Sequence, residues 1–337
     1  MTISNTIYRG VAGNTKGAIT KSSVDISSDL GPKEVLIKIT HSSLCYTDIH
    51  MMEFGCALGH EGVGIVEKVG SEVTTLKVGD RAGGGYLRDS CGHCNYCTKG
   101  RDIYCYERHI YGENDFDAGT FAEYYIGKES YIHKIPSNLP SEYAAPLQCA
   151  GSTVYNAITS SAKPGNRVGI LGIGGLGHLA IQFSAKLGFD TVVFSTTRDK
   201  EDEARGFGAE EFYLLSELEK VEKPVDVLIV TAGRYPDWTK FMNKNVIARG
   251  GNIVALSAPI APIELPSFPF FFETYNFKSS LVASRGTHAD MLAFAARMDI
   301  RPVIEKFEFS QKGFEEAMEK MKNGKMRYRG VLVADGN

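Results

Sequence analysis

Four cysteines fall within fifteen residues of this 337-residue chain, at Cys91, Cys94, Cys97 and Cys105. Their spacing, C-x2-C-x2-C-x7-C, suits four thiolates that wrap one tetrahedral zinc ion in a closed, structural site. Gly92 and Gly100 would let the loop turn tightly around the ion. An iron–sulfur cluster is the alternative, but ferredoxin-like runs have a shorter final gap and a following proline, whereas Tyr106 follows here. Because four thiolates complete the coordination, we interpret His93 as a loop residue.

A second group of possible metal ligands is spread along the chain. It comprises Cys45, the pair His60 and Glu61, and Cys149. Two thiolates, an imidazole and a carboxylate are the ligand types of a catalytic zinc with one exchangeable position. Spacing alone leaves open that the His–Glu pair is an ordinary surface or core pair. We interpret the remaining cysteine, Cys56, as a small hydrophobic residue.

A glycine-rich turn indicates a nucleotide site. The sequence "LGIGGLGH" contains Gly172, Gly174, Gly175 and Gly177. It follows the apolar run "RVGIL" and opens a helical pattern, which is the context that a dinucleotide-binding fingerprint requires. The glycines would permit a tight turn and a close approach to the cofactor pyrophosphate at the helix N-terminus.

Composition excludes several classes of function. Hydrophobic residues make up 43% and charged residues 23% of the chain, which is ordinary for a globular protein, and the formal net charge is −3. Such a charge predicts no affinity for nucleic acid or for a membrane surface. The N-terminal segment lacks a basic start followed by an apolar run, so we predict no signal peptide and a cytoplasmic location. Clustered cysteines in that compartment bind metal or do chemistry more often than they form disulfides.

The pattern of secondary structure changes near residue 149. Alternating and glycine-rich segments at 33–39, 61–70 and 76–85 predict a mostly β first part. The segment 166–196 then reads as strand, turn, helix and strand, as in a doubly wound parallel sheet. We therefore predict an α/β protein with a cofactor domain at 149–286. It is inserted into a catalytic domain formed by 1–148 and 287–337, of which 91–105 is the zinc lobe.

Six motifs in a fixed order resemble one known family. They are "CYTDIH", "GHEGVGIVEKVG", "VGDRAGGG", the four-cysteine lobe, "CAGSTVY" and "GIGGLGHLAIQFSAKLG". Together they are similar to the zinc-dependent medium-chain alcohol dehydrogenases, most of all to the branch of cinnamyl alcohol dehydrogenase and yeast alcohol dehydrogenase. The resemblance runs through nearly the whole chain. It implies a GroES-like catalytic domain, a Rossmann cofactor domain and two zinc ions per chain.

The resemblance also implies roles for individual residues. The catalytic zinc would be held by Cys45, His60 and Cys149. Glu61 would be a fourth ligand or a close group that exchanges with water, and Asp48 would bond the far nitrogen of His60 and fix its tautomer. Thr47 would receive the proton of the alcohol and pass it through the nicotinamide ribose to His50. Taken alone, Thr47 would be a turn hydroxyl and His50 a solvated loop residue.

One departure from the family pattern lies between the first two ligands. Only fourteen residues separate Cys45 from His60, and "HMMEFGCALGHE" is shorter than the proline-bearing loop that the family usually carries. Either the loop is trimmed or part of the chain is missing from this sequence. In both cases the sequence leaves one wall of the substrate cleft unassigned.

The end of the second cofactor-domain strand predicts NADP(H). An NAD enzyme usually places there an acid that binds the ribose 2′-hydroxyl, whereas this chain has Ser195. Hydroxyls and cations would accept a 2′-phosphate. The candidates are Ser195, Thr196, Thr197, Arg198 and Lys200. Asp199 is a complication, but it lies beyond the discriminating position. The resemblance also places Arg329 at a position that contacts the cofactor pyrophosphate, with Arg327 as a neighbouring alternative.

The predicted function is reversible reduction of aromatic or medium-chain aldehydes to primary alcohols. A polyol or secondary-alcohol dehydrogenase is the alternative, although such members often lack or alter the four-cysteine lobe. Alkene or quinone reductases generally lack the zinc ligands, and a zinc-stabilised binding protein without catalysis would not need the full set. The aromatic run "SFPFFFETYNF" at 267–277 predicts mostly buried rings. The resemblance implies that this run contributes to the subunit contact of a homodimer and borders the substrate cleft, which we expect to be apolar. No role is assigned to Trp238.

Overall fold

The computed structural model describes residues 2–13, 18–257, 259 and 262–336. The strands are β1 (Thr2–Gly10), β2 (Ile19–Ser27), β3 (Glu34–Ser43), β4 (Glu61–Val69), β5 (Arg81–Gly85), β6 (Leu87–Asp89), β7 (His109–Ile110), β8 (Tyr124–Lys128), β9 (His133–Lys134), β10 (Arg167–Leu171), β11 (Asp190–Ser195), β12 (Glu211–Leu214), β13 (Val225–Val230), β14 (Ile247–Ala255), β15 (Asn276–Ser279), β16 (Ile304–Glu308) and β17 (Arg329–Val333). The α-helices are α1 (Tyr46–Met51), α2 (Ser141–Pro146), α3 (Ser152–Thr159), α4 (Gly177–Lys186), α5 (Glu201–Gly206), α6 (Trp238–Phe241), α7 (Ser267–Phe272), α8 (Arg285–Met298) and α9 (Gln311–Lys322).

The chain divides into two compact units. One is formed by the residues up to Ser152 together with those from Ala283 onward, and the other is Thr153–Val282. The second unit thus begins at 153 rather than at the predicted 149, and ends at 282 rather than 286. One contact accounts for the shift of the second boundary. The buried Asp102 accepts the backbone N–H of Arg285, so residues just before 287 are tied into the first unit.

The first unit is built on a mixed seven-stranded sheet. Its strand order is β16-β17-β3-β4-β5-β9, with β8 pairing β3, and only the pair β16–β17 is parallel. Strand β4 can lie close to its neighbours because of its glycines: a Cβ on Gly64 would lie 2.0 Å from the carbonyl oxygen of Lys38. Buried aliphatic side chains of β3 and β4 form a core with Tyr125. The GroES-like β-rich domain predicted from the sequence is confirmed.

The second unit contains a parallel six-stranded sheet. Its order is β12-β11-β10-β13-β14-β15, in which β10, the first strand of the unit in chain order, lies at the centre. Strand β10 is buried at every position, as expected of a strand covered on both faces. This reversal of strand order beside the first strand is the arrangement in which α/β folds bind nucleotides. The predicted Rossmann-type sheet is therefore confirmed.

The aromatic run at 267–277 differs from its prediction as mostly buried. Phe268, Phe271 and Phe272 are exposed by 72%, 73% and 61%, whereas Tyr275 is buried and Phe270 packs against the core of the second unit. The reason is that helix α7 places positions i, i+3 and i+4 on one face, so its three exposed rings point the same way. Composition alone could not tell which face would be covered.

Across the part of the chain that the structure describes, every helix is too short or too polar to cross a lipid bilayer.

Candidate active site

Four possible metal ligands from distant parts of the chain converge in the first unit. Their ligand atoms all lie within 4.8 Å of one another, and they belong to Cys45, His60, Glu61 and Cys149. Cys45 precedes helix α1, His60 and Glu61 stand at the start of β4, and Cys149 lies in a π-helical turn over Leu147–Gly151. A π-turn inserted between helices is a frequent feature of functional sites. The structure therefore brings together the set proposed from residue types.

Asp48 holds two of these ligands in place. Its buried carboxylate accepts the backbone N–H of Cys45 at 2.9 Å, as the third residue of a helix often does for its N-cap. Its other oxygen, Oδ1, lies 3.0 Å from Nδ1 of His60 and accepts the N–H of Gly59 at 3.1 Å. A proton on Nδ1 leaves Nε2 of His60 with a lone pair, which is the tautomer that binds a metal.

The donor set fits zinc. Among the described residues, Nε2 of His60 and Oε1 of Glu61 are buried with no hydrogen-bond partner. Buried polar atoms are rarely left unpaired, so a partner outside the protein is expected for both. Two sulfurs, one nitrogen and one oxygen are ligands that zinc accepts in a tetrahedral site. Two thiolates would also neutralise the charge of a Zn²⁺ ion.

The close packing of these four donor groups determines which of them hold a proton when no metal is bound. A hydrogen bond from Cys149 lowers the pKa of Cys45 well below its ordinary value, while the pKa of Cys149 is raised, so the two sulfurs share one proton. Burial opposes a charged imidazole, but Asp48 and Cys45 overcome it and raise the pKa of His60 to about 10. Burial also raises the pKa of Glu61 to about 7, against the attraction of Arg329.

Arg329 lies beside the metal ligands. Its buried guanidinium forms an ion pair with Glu61 and donates to Oγ of Ser43 at 3.2 Å. Burial disfavours its charge, yet Glu61 and the thiols keep the pKa of Arg329 above its ordinary value. This ion pair compensates the charge of Glu61, which lies beside the other possible ligands. Contact of Arg329 with the cofactor pyrophosphate, implied by the resemblance, stays a prediction.

The two residues predicted to move a proton lie on helix α1. Oγ1 of Thr47 is 3.6 Å from Sγ of Cys45, so this hydroxyl borders the metal ligands. His50 is exposed and stacks edge-on with Tyr46, with ring centroids 5.1 Å apart. A separation of three residues puts Thr47 and His50 on the same side of the helix. Their roles stay predictions, but their placement runs from the metal ligands toward solvent.

The four-cysteine lobe is a second cluster of donors. The Sγ atoms of Cys91, Cys94, Cys97 and Cys105 all lie within 4.8 Å of one another. Gly92 and Gly100 have φ of +77° and +66°, so the tight turns expected of them are present. The thiol of Cys97 is 3.2 Å from Oγ of Ser90, whose oxygen also bonds Tyr131. Exposed His93 and Glu107 lie near Cys91 as well, but four thiolates already complete a tetrahedral site.

The glycine-rich turn follows β10 and opens α4, as the sequence predicts. Gly172 has φ of +95°, a conformation that side chains disfavour. A Cβ on Gly177 would lie 2.0 Å from the carbonyl oxygen of Gly172, whereas one on Gly174 would meet no atom within 4 Å. Gly177 is therefore needed for packing of the turn, and the space beside Gly174 is open. Contact of the turn with the cofactor pyrophosphate stays a prediction.

Ser195 is the last residue of β11, next to the strand that carries this turn. Beyond it, Arg198 donates to Glu201 at 2.7 Å and to Glu217 at 2.8 Å. Nζ of Lys200 donates to the carbonyl of Ile173, within the turn, at 3.0 Å. Thr197 bonds Asp199, and Thr196 is exposed. Lys200 thus reaches the glycine-rich turn, while Arg198 is engaged by two carboxylates.

Two features of the site could not be found from the sequence. Tyr111 donates to Asp48 from 63 residues away, and Ser43 joins Arg329 across strands β3 and β17. Neither residue lies in a motif, and both contacts depend on how distant strands pair.

Comparisons with known proteins agree with this geometry. Residues 31–137 match a family described as "Alcohol dehydrogenase GroES-like domain", and residues 175–297 match "Zinc-binding dehydrogenase". The chain is 33% identical to NADP-dependent alcohol dehydrogenase C 1 of Mycolicibacterium smegmatis, over 94% of this chain and 93% of that protein. It is 32% identical to cinnamyl alcohol dehydrogenase 8 of Arabidopsis thaliana, over 90% and 89% of the two chains. A solved cinnamyl alcohol dehydrogenase of Sorghum bicolor superposes with a TM-score of 0.88 at 28% identity, over 98% of both chains.

The protonation of the donor set predicts that zinc binding to Cys45, His60 and Cys149 releases two protons at pH 8. One comes from His60, whose pKa is about 10, and one from Cys149, whose pKa is raised well above its ordinary value. Zinc takes the unprotonated forms, so its affinity should rise with pH, by about 100-fold per unit while both groups remain protonated. Calorimetric zinc titration of protein from which chelation has removed one zinc, in buffers of different ionisation enthalpy, measures this release. Release of less than one proton would contradict it.

Proposed function

Since the chain belongs to the zinc-dependent medium-chain alcohol dehydrogenases, in their cinnamyl alcohol dehydrogenase-like branch, we propose that it interconverts aldehydes and primary alcohols with NADP(H). The substrates proposed are aromatic or medium-chain aldehydes. The observation that carries the proposal is the convergence of two thiols, an imidazole and a carboxylate, of which the imidazole Nε2 has no partner among the described residues.

A zinc ion at this site would act as a Lewis acid that polarises the carbonyl of the substrate, and the nicotinamide would supply the hydride. The protein's own part is to hold and balance charge. Asp48 fixes the tautomer of His60, and Arg329 neutralises Glu61, so the developing negative charge of the substrate oxygen faces no uncompensated carboxylate. Thr47 and His50, on one side of α1, would carry the proton between that oxygen and solvent.

The preference for NADP(H) is supported by the end of β11. Ser195 places no carboxylate where it would repel a 2′-phosphate, and the ammonium of Lys200 lies at the glycine-rich turn. A 2′-phosphate would compete with Glu201 and Glu217 for Arg198, so we assign the larger share of the specificity to Ser195 and Lys200. The name of the M. smegmatis relative, which is called NADP-dependent, agrees with this assignment.

A homodimer is supported by one surface of the second unit. The rings of Phe268, Phe271 and Phe272 are exposed on α7, and β15 is the last strand in the order of its sheet. Exposed rings and an edge strand each favour association with another chain. The cytoplasmic location stays a prediction.

The first test of the proposed function removes one zinc ligand. Replacing Cys149 with Ala should lower kcat/KM for NADPH-dependent reduction of cinnamaldehyde by more than about 100-fold, because Lewis-acid activation contributes several kcal/mol. Zinc content should fall from two ions per chain to one. The matched control is Cys56→Ala, which removes a buried thiol outside the donor set and should keep activity and both ions. Full activity of the Cys149 variant would refute the proposal, and equal turnover of ketones would favour a secondary-alcohol dehydrogenase.

The second test concerns the cofactor. Ser195→Asp should lower kcat/KM for NADPH by more than about tenfold and raise it for NADH, since like charges placed together cost several kcal/mol. Asparagine has nearly the same shape as aspartate but no charge, so Ser195→Asn should change the cofactor preference much less. Steady-state kinetics with both cofactors at a fixed aldehyde concentration measure the effect. An aspartate variant that still prefers NADPH would place the 2′-phosphate elsewhere.

The third test concerns assembly. Sedimentation velocity should give a species of about twice the 36.9 kDa chain mass. The double change Phe271→Glu and Phe272→Glu should convert it to a monomer, because charges would replace apolar contact area. Tyr106→Glu alters a ring that is 95% exposed on the zinc lobe and should leave the dimer intact. If the dimer survives the double change, its subunit contact lies on another surface.

A further inference from the structure

Tyr111 contacts the catalytic metal site without being a ligand. Its hydroxyl donates to Oδ1 of Asp48 at 2.8 Å, and that same oxygen lies 3.0 Å from Nδ1 of His60. The rings of Tyr111 and His60 are 4.5 Å apart and tilted by 32°. Tyr111 is 3% exposed, and Asp48 and His60 are fully buried. The phenol therefore touches both the carboxylate that orients the ligand and the ligand ring itself.

The carboxylate of Asp48 depends on its donors. Oδ1 accepts from Gly59, His60 and Tyr111, whereas Oδ2 accepts from Cys45. Three of these donors lie on the segments that carry the metal ligands, and only Tyr111 comes from a separate segment, after β7. A buried carboxylate with a missing donor loses much of its compensation, so it would rotate or draw in a proton. The hydroxyl of Tyr111 thus ties Asp48 to a part of the fold that does not itself bind the metal.

Tyr111 is in turn held firmly. Its backbone N–H donates to the carbonyl of Tyr86 at 2.8 Å, and the guanidinium of Arg88 lies 5.4 Å from its ring centroid. Arg88 donates to four carbonyls, three of them in the segment that follows Tyr111. Burial and the charge of Asp48 raise the pKa of Tyr111 well above its ordinary value, so its hydroxyl keeps the proton that it donates.

We propose that Tyr111 is a positioning residue of the catalytic metal site: its hydroxyl fixes the carboxylate of Asp48, and its ring fixes the plane of His60, so that Nε2 stays aimed at the metal. The proposal rests on the catalytic site assigned above. It goes beyond that assignment because it places part of the control of the metal in the loop after β7.

The experiment measures zinc retention in the absence of substrate. A negative result would therefore count against the role of Tyr111 and not against the proposed reaction. Tyr111→Phe should lose the catalytic zinc to a chelator about tenfold faster than the parent protein, which is the lower end of the effect seen when partners of metal ligands are removed. The matched control is Tyr125→Phe, which removes another buried phenol of the same unit that interacts with Arg88 and not with Asp48. The Tyr125 variant should lose zinc at the parental rate.

Two further measurements separate positioning from a general loss of stability. In an Asp48→Asn background, Tyr111→Phe should add little to zinc loss, since the two residues act through one hydrogen bond. The Nδ1 proton signal of His60 in NMR spectra of the zinc-loaded protein should shift in Tyr111→Phe and not in Tyr125→Phe. Equal zinc loss and equal spectra in the two phenylalanine variants would overturn the proposal.

Should Tyr111→Phe not fold, difluorotyrosine at position 111 decides the question. Fluorination makes the phenol a stronger donor and nearly preserves its shape, so zinc loss should become slower than in the parent protein. An unchanged rate would overturn the proposal.

Discussion

The constraint on which the active-site region depends is the burial of four metal-binding groups within one small volume. Two thiols, an imidazole and a carboxylate lie within 4.8 Å of one another and are largely withdrawn from water. Without a cation, such a cluster must hold extra protons and leave polar atoms unpaired, both of which cost free energy. The neighbouring contacts offset part of this free-energy cost, because Asp48 bonds and orients His60 and Arg329 compensates the charge of Glu61. Metal binding and folding of the first unit are therefore coupled.

The glycine-rich turn of the second unit satisfies a different constraint, which is close packing of its own backbone. The absence of a side chain on Gly174 leaves space, while the absence of one on Gly177 allows the turn to close against its own carbonyl. Parallel strands buried on both faces hold this turn at the carboxyl edge of the sheet. The first unit thus brings together a donor set that fits zinc, and the second carries a glycine-rich turn of the kind that binds dinucleotides in α/β folds.

The sequence alone was sufficient to predict those parts of the site that lie within one short segment of the chain. The four-cysteine lobe, the Cys45–Asp48 turn and the glycine-rich turn are short motifs, and their spacing largely determines their geometry. It was insufficient where strand pairing brings distant residues together, as with Tyr111 on Asp48 and Arg329 on Glu61. It was wrong for the rings of α7, since four of the six residues of this helix are aromatic and it has no charged face to mark which side meets water. Long-range contacts of this kind leave no periodic pattern along the chain.

The position of strand β17 has a consequence for biosynthesis. It lies between β16 and β3 in the large sheet, and it brings Arg329 to a carboxylate from the first fifth of the chain. Arg329 is the 180th residue that the ribosome adds after Cys149, which takes roughly 10–40 s at about 5–20 residues per second. During that interval the nascent chain already carries the two thiols and the imidazole of the donor set, but not the guanidinium that compensates the charge of Glu61. The pocket is therefore completed only after Arg329 has been added to the chain.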